Sequence, residues 1–89
     1  MITPTIGRIM WYWPEKESRS DQPWAAIVTY VYDDNMVNLV AFGSDGTKWE
    51  RHSIPIVQDR SPYTAGDGPY VEWMPYQIGQ AKKHEGGAA

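Results

Sequence analysis

Apolar and polar positions alternate through five short runs of this chain, and between Trp24 and Arg51 three such runs follow one another around two compact turns. The stretch WAAIVTYVYDDNMVNLVAFGSDGTKWER therefore predicts a three-stranded antiparallel meander. Its first strand, Trp24 to Tyr32, is apolar on both faces, which predicts a central strand covered by the core on one side and by a loop or another subunit on the other. Asp33-Asp34-Asn35 turns the chain, and the next strand, Met36 to Phe42, splits into Val37, Leu39, Ala41 and Met36, Asn38, Val40, Phe42. Gly43-Ser44-Asp45-Gly46 is the clearest turn, with Asp-Gly supplying the positive φ that a hairpin needs. The third strand, Thr47 to Ile54, sets Lys48, Glu50, His52 and Ile54 against Thr47, Trp49, Arg51 and Ser53, and Pro55 closes it.

A strand from Thr5 to Trp13 precedes the meander. Its alternation puts Gly7, Ile9, Trp11 and Trp13 on the side expected to face the core. The charged loop Glu15 to Gln22 looks dispensable. After the meander, Val57 to Tyr70 is rich in turn formers, and Val71 to Met74 is a short last strand stopped by Pro75. Five short strands with a long first loop predict an all-β domain, a small five-stranded SH3-like barrel, with an OB-like Greek-key barrel as the alternative. The barrel is expected over residues 1–76, and residues 77–89, ending in Gly and Ala, form a C-terminal tail docked on a neighbouring subunit.

Length and composition narrow the chemistry. The 89 residues make one domain, and a chain of this size buries only about 60–65% of its unfolded surface, so self-association would help it. The absence of Cys removes disulfides and thiolate sites, which fits a reducing cytoplasm. No run approaches the ~20 apolar residues that span a bilayer. A net charge of −3 with scattered Lys and Arg disfavours tracking along a nucleic-acid backbone. Five Trp and six Tyr stand against one Phe. Such rings suit half-exposed faces and stacking platforms, or else fill a thin core.

Catalysis finds little support. His52-Ser53 with Asp45 or Asp59 has the residue types of a hydrolytic triad but no positioned nucleophile signature. The acidic turns Asp33-Asp34-Asn35 and Asp67-Gly68 lack calcium-loop spacing, so neither a metal nor another cofactor is expected. No phosphate-binding glycine loop is present. An anionic ligand would have to be held by side chains: Arg8, Arg51 and Arg60 as donors, with Trp49, Tyr63, Tyr70 and Trp73 as stacking surfaces. The alternative is that Arg8 and Arg51 pair with Glu50, Glu72 or Asp59 on the surface. Recognition of proline-rich peptides is a further reading of aromatic clusters on an SH3-like fold.

Gly7-Arg8-Ile9, Ala26-Ile27-Val28, Val37-Asn38-Leu39, Asp45-Gly46 and Trp73 with Pro75 follow one another in an order that resembles a group of short open reading frames of tailed bacteriophages and prophages. The resemblance covers roughly residues 6 to 75. Where that group tends to show Trp-His-Trp-Pro, this chain has Val71-Glu72-Trp73-Met74-Pro75, so no role of the His carries over. The resemblance implies a phage accessory protein acting inside the infected bacterium. By analogy of size and aromatic richness with small oligomeric phage proteins that sequester nucleotide signals, the chain is expected to be a non-enzymatic homo-oligomer in the host cytoplasm that sequesters a small anionic, nucleotide-like signalling molecule and so blunts host defence. The alternative it leaves is a virion-associated or host-protein-binding module.

Overall fold

A computed structural model describes residues 2–58 and 68–80. Five strands, β1 (Ile9–Trp13), β2 (Trp24–Asp33), β3 (Met36–Phe42), β4 (Lys48–Val57) and β5 (Tyr70–Glu72), close into a barrel in consecutive order. The expected all-β barrel is present, without the Greek-key crossing that an OB-like barrel requires. All pairs are antiparallel except β4 with β5, which run parallel. Parallel neighbours need a crossover of about a dozen residues, and twelve residues separate Val57 from Tyr70 in the sequence.

The two hairpins form for local reasons. Asp33 Oδ1 accepts a 2.7 Å bond from the Asn35 amide, holding the β2–β3 turn. At the next turn Gly46 N donates to Gly43 O at 2.8 Å, Gly43 N donates to Thr47 O at 2.9 Å, and Gly46 takes φ +84°. That is a three-residue hairpin loop whose last position favours glycine.

Strand β1 departs from expectation in start and in facing. Gly7, at φ +91°, donates to Val28 O, and Arg8 N donates back to Thr5 O, so residues 5–8 turn and β1 begins at Ile9. Met10 and Tyr12 are fully buried, while Ile9, expected in the core, is 48% exposed, Gly7 is exposed and Trp11 and Trp13 are half-buried. Cross-strand volume explains the reversal. Met10 lies opposite Ala26, which lies opposite Ala41, and two small residues leave the interior room that large side chains must fill.

Strand β4 departs twice. It runs through Pro55, which is exposed and opposite Met36 at the mouth of the hairpin, and the next amide, of Ile56, donates to Asn35 O. Ile54 and Ile56 both enter the core. The second departure is a bulge: Val37 faces Ile54 and Leu39 faces Arg51, so His52 and Ser53 share one partner, Asn38. Ser53 takes φ +53°, a left-handed conformation costing a residue with a Cβ about 1 kcal/mol. Asn38 Oδ1 accepts its amide at 2.8 Å. The extra residue reverses the alternation. It turns Arg51 and Trp49 to the side of Leu39 and Ala41, where simple alternation from Ile54 would put His52 and Glu50.

Two further fixtures hold the closure. The Gln58 amide receives the indole N–H of Trp73 at 3.0 Å and the amide of Ile2 at 3.1 Å, and donates to Ile2 O and Asp34 O at 2.8 and 2.7 Å. One side chain thus ties the N-terminal segment, the β2–β3 turn and the residue after β5. Residues 75–80 are helical across the expected end of the barrel at 76. Pro75 occupies the first turn, and Gln77 accepts the Met74 amide at 2.8 Å while donating to Ile9 O at 2.7 Å. This is half of a capping box with a tether to β1. The tail beyond residue 80 lies outside the described residues.

The loop after β1 is not dispensable either. It carries a 3-10 turn over Lys16–Ser18, followed by Arg19, whose guanidinium donates to Pro14 O and Gly68 O and lies 5.3 Å from the Tyr70 ring centre.

Candidate functional site

The bulged strand β4 delivers Trp49 and Arg51 to one end of the barrel, where they meet Tyr12 from β1 and Trp24 from β2. The Arg51 guanidinium carbon lies 5.3 Å from the Trp49 ring, and its Nε donates to the Tyr12 hydroxyl at 3.3 Å. Tyr12 and Trp24 ring centres are 5.7 Å apart, and those of Trp24 and Trp49 are 6.5 Å apart. The four side chains close a circuit. Tyr12 is its buried floor, Trp24 and Arg51 are half-buried, and Trp49 is 43% exposed. A cation held over an indole and tied to a phenol is an anion donor in a fixed orientation, and the exposed part of Trp49 is a stacking surface.

Beside the circuit runs a groove of about 320 Å³, lined by Ser20 to Ala25 and by Phe42, Gly43 and Ser44. Trp24 belongs to both. A Cβ placed on Gly43 would stand 3.6 Å from Trp49 Nε1, so the groove wall and the exposed indole are in van der Waals reach.

The other residues expected at a site lie elsewhere. Arg8 is at the opposite end of β1, about 13 Å of strand from Tyr12, with its guanidinium carbon 5.8 Å from the Trp73 ring. Trp73 is 1% exposed and Tyr70 is buried. Both rings serve the core, each with an arginine laid against it, Arg8 on Trp73 and Arg19 on Tyr70. Arg60 and Tyr63 lie outside the described residues. The seven residues therefore do not gather into one described cluster: Trp49 and Arg51 come together, and Trp24 and Tyr12 join them unannounced. Proline before Trp24 and the register of Tyr12 with Trp24 would have been the signals, but alternation placed Tyr12 on the wrong face of β1. His52 is exposed on the bulge, and Asp45 spends its carboxylate on the Thr47 amide at 2.9 Å, a bond that holds its pKa below the ordinary carboxylate value. No three potential metal-binding side chains cluster among the described residues, and none of their helices is long and apolar enough to cross a membrane.

Burial raises the pKa of the Tyr12 phenol above its ordinary 10.0, against the opposing pull of Arg51. The folded chain then holds this proton more tightly than the unfolded chain. Its contribution to stability is complete below about pH 10 and falls as pH climbs through the folded value. Urea midpoints measured from pH 8 to 11 are expected to drop at the alkaline end, and Y12F to drop less steeply. An equal alkaline slope in both proteins overturns this assignment.

Comparison of the chain with protein-family models, with curated proteins and with solved structures returns no match.

Proposed function

We propose that this barrel works by binding, without catalysis, and that its ligand is a small anionic molecule of the nucleotide class received at the Trp49 and Arg51 end. The observation that carries the reading is the guanidinium of Arg51, oriented by the Trp49 ring and the Tyr12 hydroxyl beside a half-open groove. Phosphate oxygens take the arginine, and a base stacks on the exposed indole. In an infected bacterium, the setting suggested by the sequence resemblance, such binding in the host cytoplasm withholds the molecule from a defence pathway.

Calorimetry and thermal melts with a panel of mono-, di- and cyclic nucleotides test it. A ligand at a hundredfold excess over Kd is expected to stabilise the fold by about 2.7 kcal/mol. R51Q is expected to weaken binding at least about tenfold by removing a charge-assisted contact. No stabilisation by any member of the panel overturns the reading.

A different observation supports the homo-oligomer expected from the sequence. Ile9, Ile27 and Val40 stand in one row across β1, β2 and β3, and Trp11, Ala25 and Phe42 in the next. All six are exposed or half-buried on the outer face. A second copy of the chain is the expected occupant, since a short, thin-cored chain gains most from self-association. Sedimentation equilibrium is expected to give an oligomer that I27E reduces to a monomer. A monomeric wild type at all concentrations excludes the second copy.

A further inference from the structure

The groove beside Trp24 has a chemistry that an anion site does not need. Its lining includes the Asp21 carboxylate and the Ser44 hydroxyl, and neither makes a hydrogen bond or ion pair with another of the described residues. Ser20, by contrast, is engaged with its own loop, its hydroxyl bonding both the amide and the carbonyl of Gln22. Trp24, Ala25 and Phe42 add the apolar part of the lining. A carboxylate only accepts hydrogen bonds at neutral pH, so a moiety that fits beside it must donate them. An anionic group would be repelled there. The volume is at the small end of ligand sites, and the groove adjoins the Trp49 ring through Gly43.

From these placements, and resting on the nucleotide reading above, we infer that the groove takes the ribose of the ligand, with Asp21 accepting hydrogen bonds from its 2′ and 3′ hydroxyls. Trp24 belongs to both the groove and the ring circuit, so the carboxylate on one and the arginine in the other can each receive the part of a nucleotide that its charge suits. Arg51 governs whether an anionic ligand binds at all. Asp21 governs which sugar it carries. The pairing of a carboxylate with a vicinal diol is selective, because a deoxy sugar lacks the hydroxyl donors that the carboxylate accepts.

The test compares the four ribonucleoside 5′-monophosphates with their 2′-deoxy and 2′,3′-dideoxy counterparts, titrated by calorimetry against wild type, D21A and R51Q. Asp21 is exposed, so D21A is expected to fold, and its melting curve checks that it does. The wild type is expected to favour the ribo form over the dideoxy form at least about tenfold, the scale of a hydrogen bond to a charged acceptor. D21A is expected to bring that ratio to within about twofold by weakening the ribo form alone. R51Q is expected to weaken ribo and dideoxy forms together. Equal wild-type affinity for ribo and dideoxy forms, with binding still lost in R51Q, overturns the ribose assignment and leaves the nucleotide reading standing. A ribo preference that survives D21A also overturns it. Absence of binding by every nucleotide overturns both.

Discussion

Replacing Gln58 with alanine is expected to lower the unfolding free energy by about 2–4 kcal/mol, since each of its hydrogen bonds contributes about 0.5–1.5 kcal/mol and a buried indole donor is left unpaired. The side chain accepts from Trp73 and Ile2 and donates to Ile2 and Asp34. Trp73 is in the core, so its N–H loses its protein acceptor when Gln58 goes. Q58E separates the two halves of the network. Its carboxylate still accepts from Trp73 and Ile2 but opposes the carbonyls of Ile2 and Asp34, and an intermediate loss is expected. Urea unfolding reads both as shifts of the midpoint at constant slope. A shift under about 0.5 kcal/mol for Q58A would mean that backbone pairing alone holds the closure.

Aspartate at position 10 is expected to prevent folding, whereas aspartate at position 9 is expected to change stability by less than about 1 kcal/mol. Met10 has no exposed surface and lies opposite Ala26 inside the barrel; Ile9 is 48% exposed on the outer face. An uncompensated charge at a fully buried site costs several kcal/mol, a large part of what a domain of this size has. Circular dichroism and melting of the two variants decide between the two facings of β1. The reverse outcome, I9D unfolded and M10D folded, would mean a strand slipped by one residue, which exchanges every side chain between core and solvent.

That pair of variants touches the point where the sequence was least legible. β3 was readable to its ends, because one face of Val37, Leu39 and Ala41 is apolar without interruption and both flanking turns carry Asp, Asn or Gly. β1 was readable as a strand but not in its facing, because IMWYW is apolar on both sides, and only the small partners Ala26 and Ala41 decide which side has room. Trp49 and Arg51 were recognisable as a pair by type. Their side of the barrel was not, because it depends on a bulge whose cause is a side-chain acceptor, Asn38, on the neighbouring strand. A serine in the left-handed region gives no sign of itself in a string of letters. No local cue in the sequence marks the depth of Tyr70 and Trp73, and their burial follows from the closing of β5 against β1 and β4. Pro55 misled for a physical reason as well: the rule that proline ends a strand applies where its missing amide is needed, and here the pairing amide belongs to Ile56.

The parallel seam between β4 and β5 bears on how the chain reaches this state. Sealing the barrel joins positions far apart along the backbone; the bond from Trp13 to Glu72 spans 59 residues. Such high contact order places folding in the range of about milliseconds to seconds. The two hairpins can zip early, but β1 finds its second neighbour only after β5 has left the ribosome. Until then β1 and β4 are open strand edges that invite pairing with other nascent chains. High expression rates are therefore expected to favour inclusion bodies, and slower synthesis in the cold to favour the sealed form.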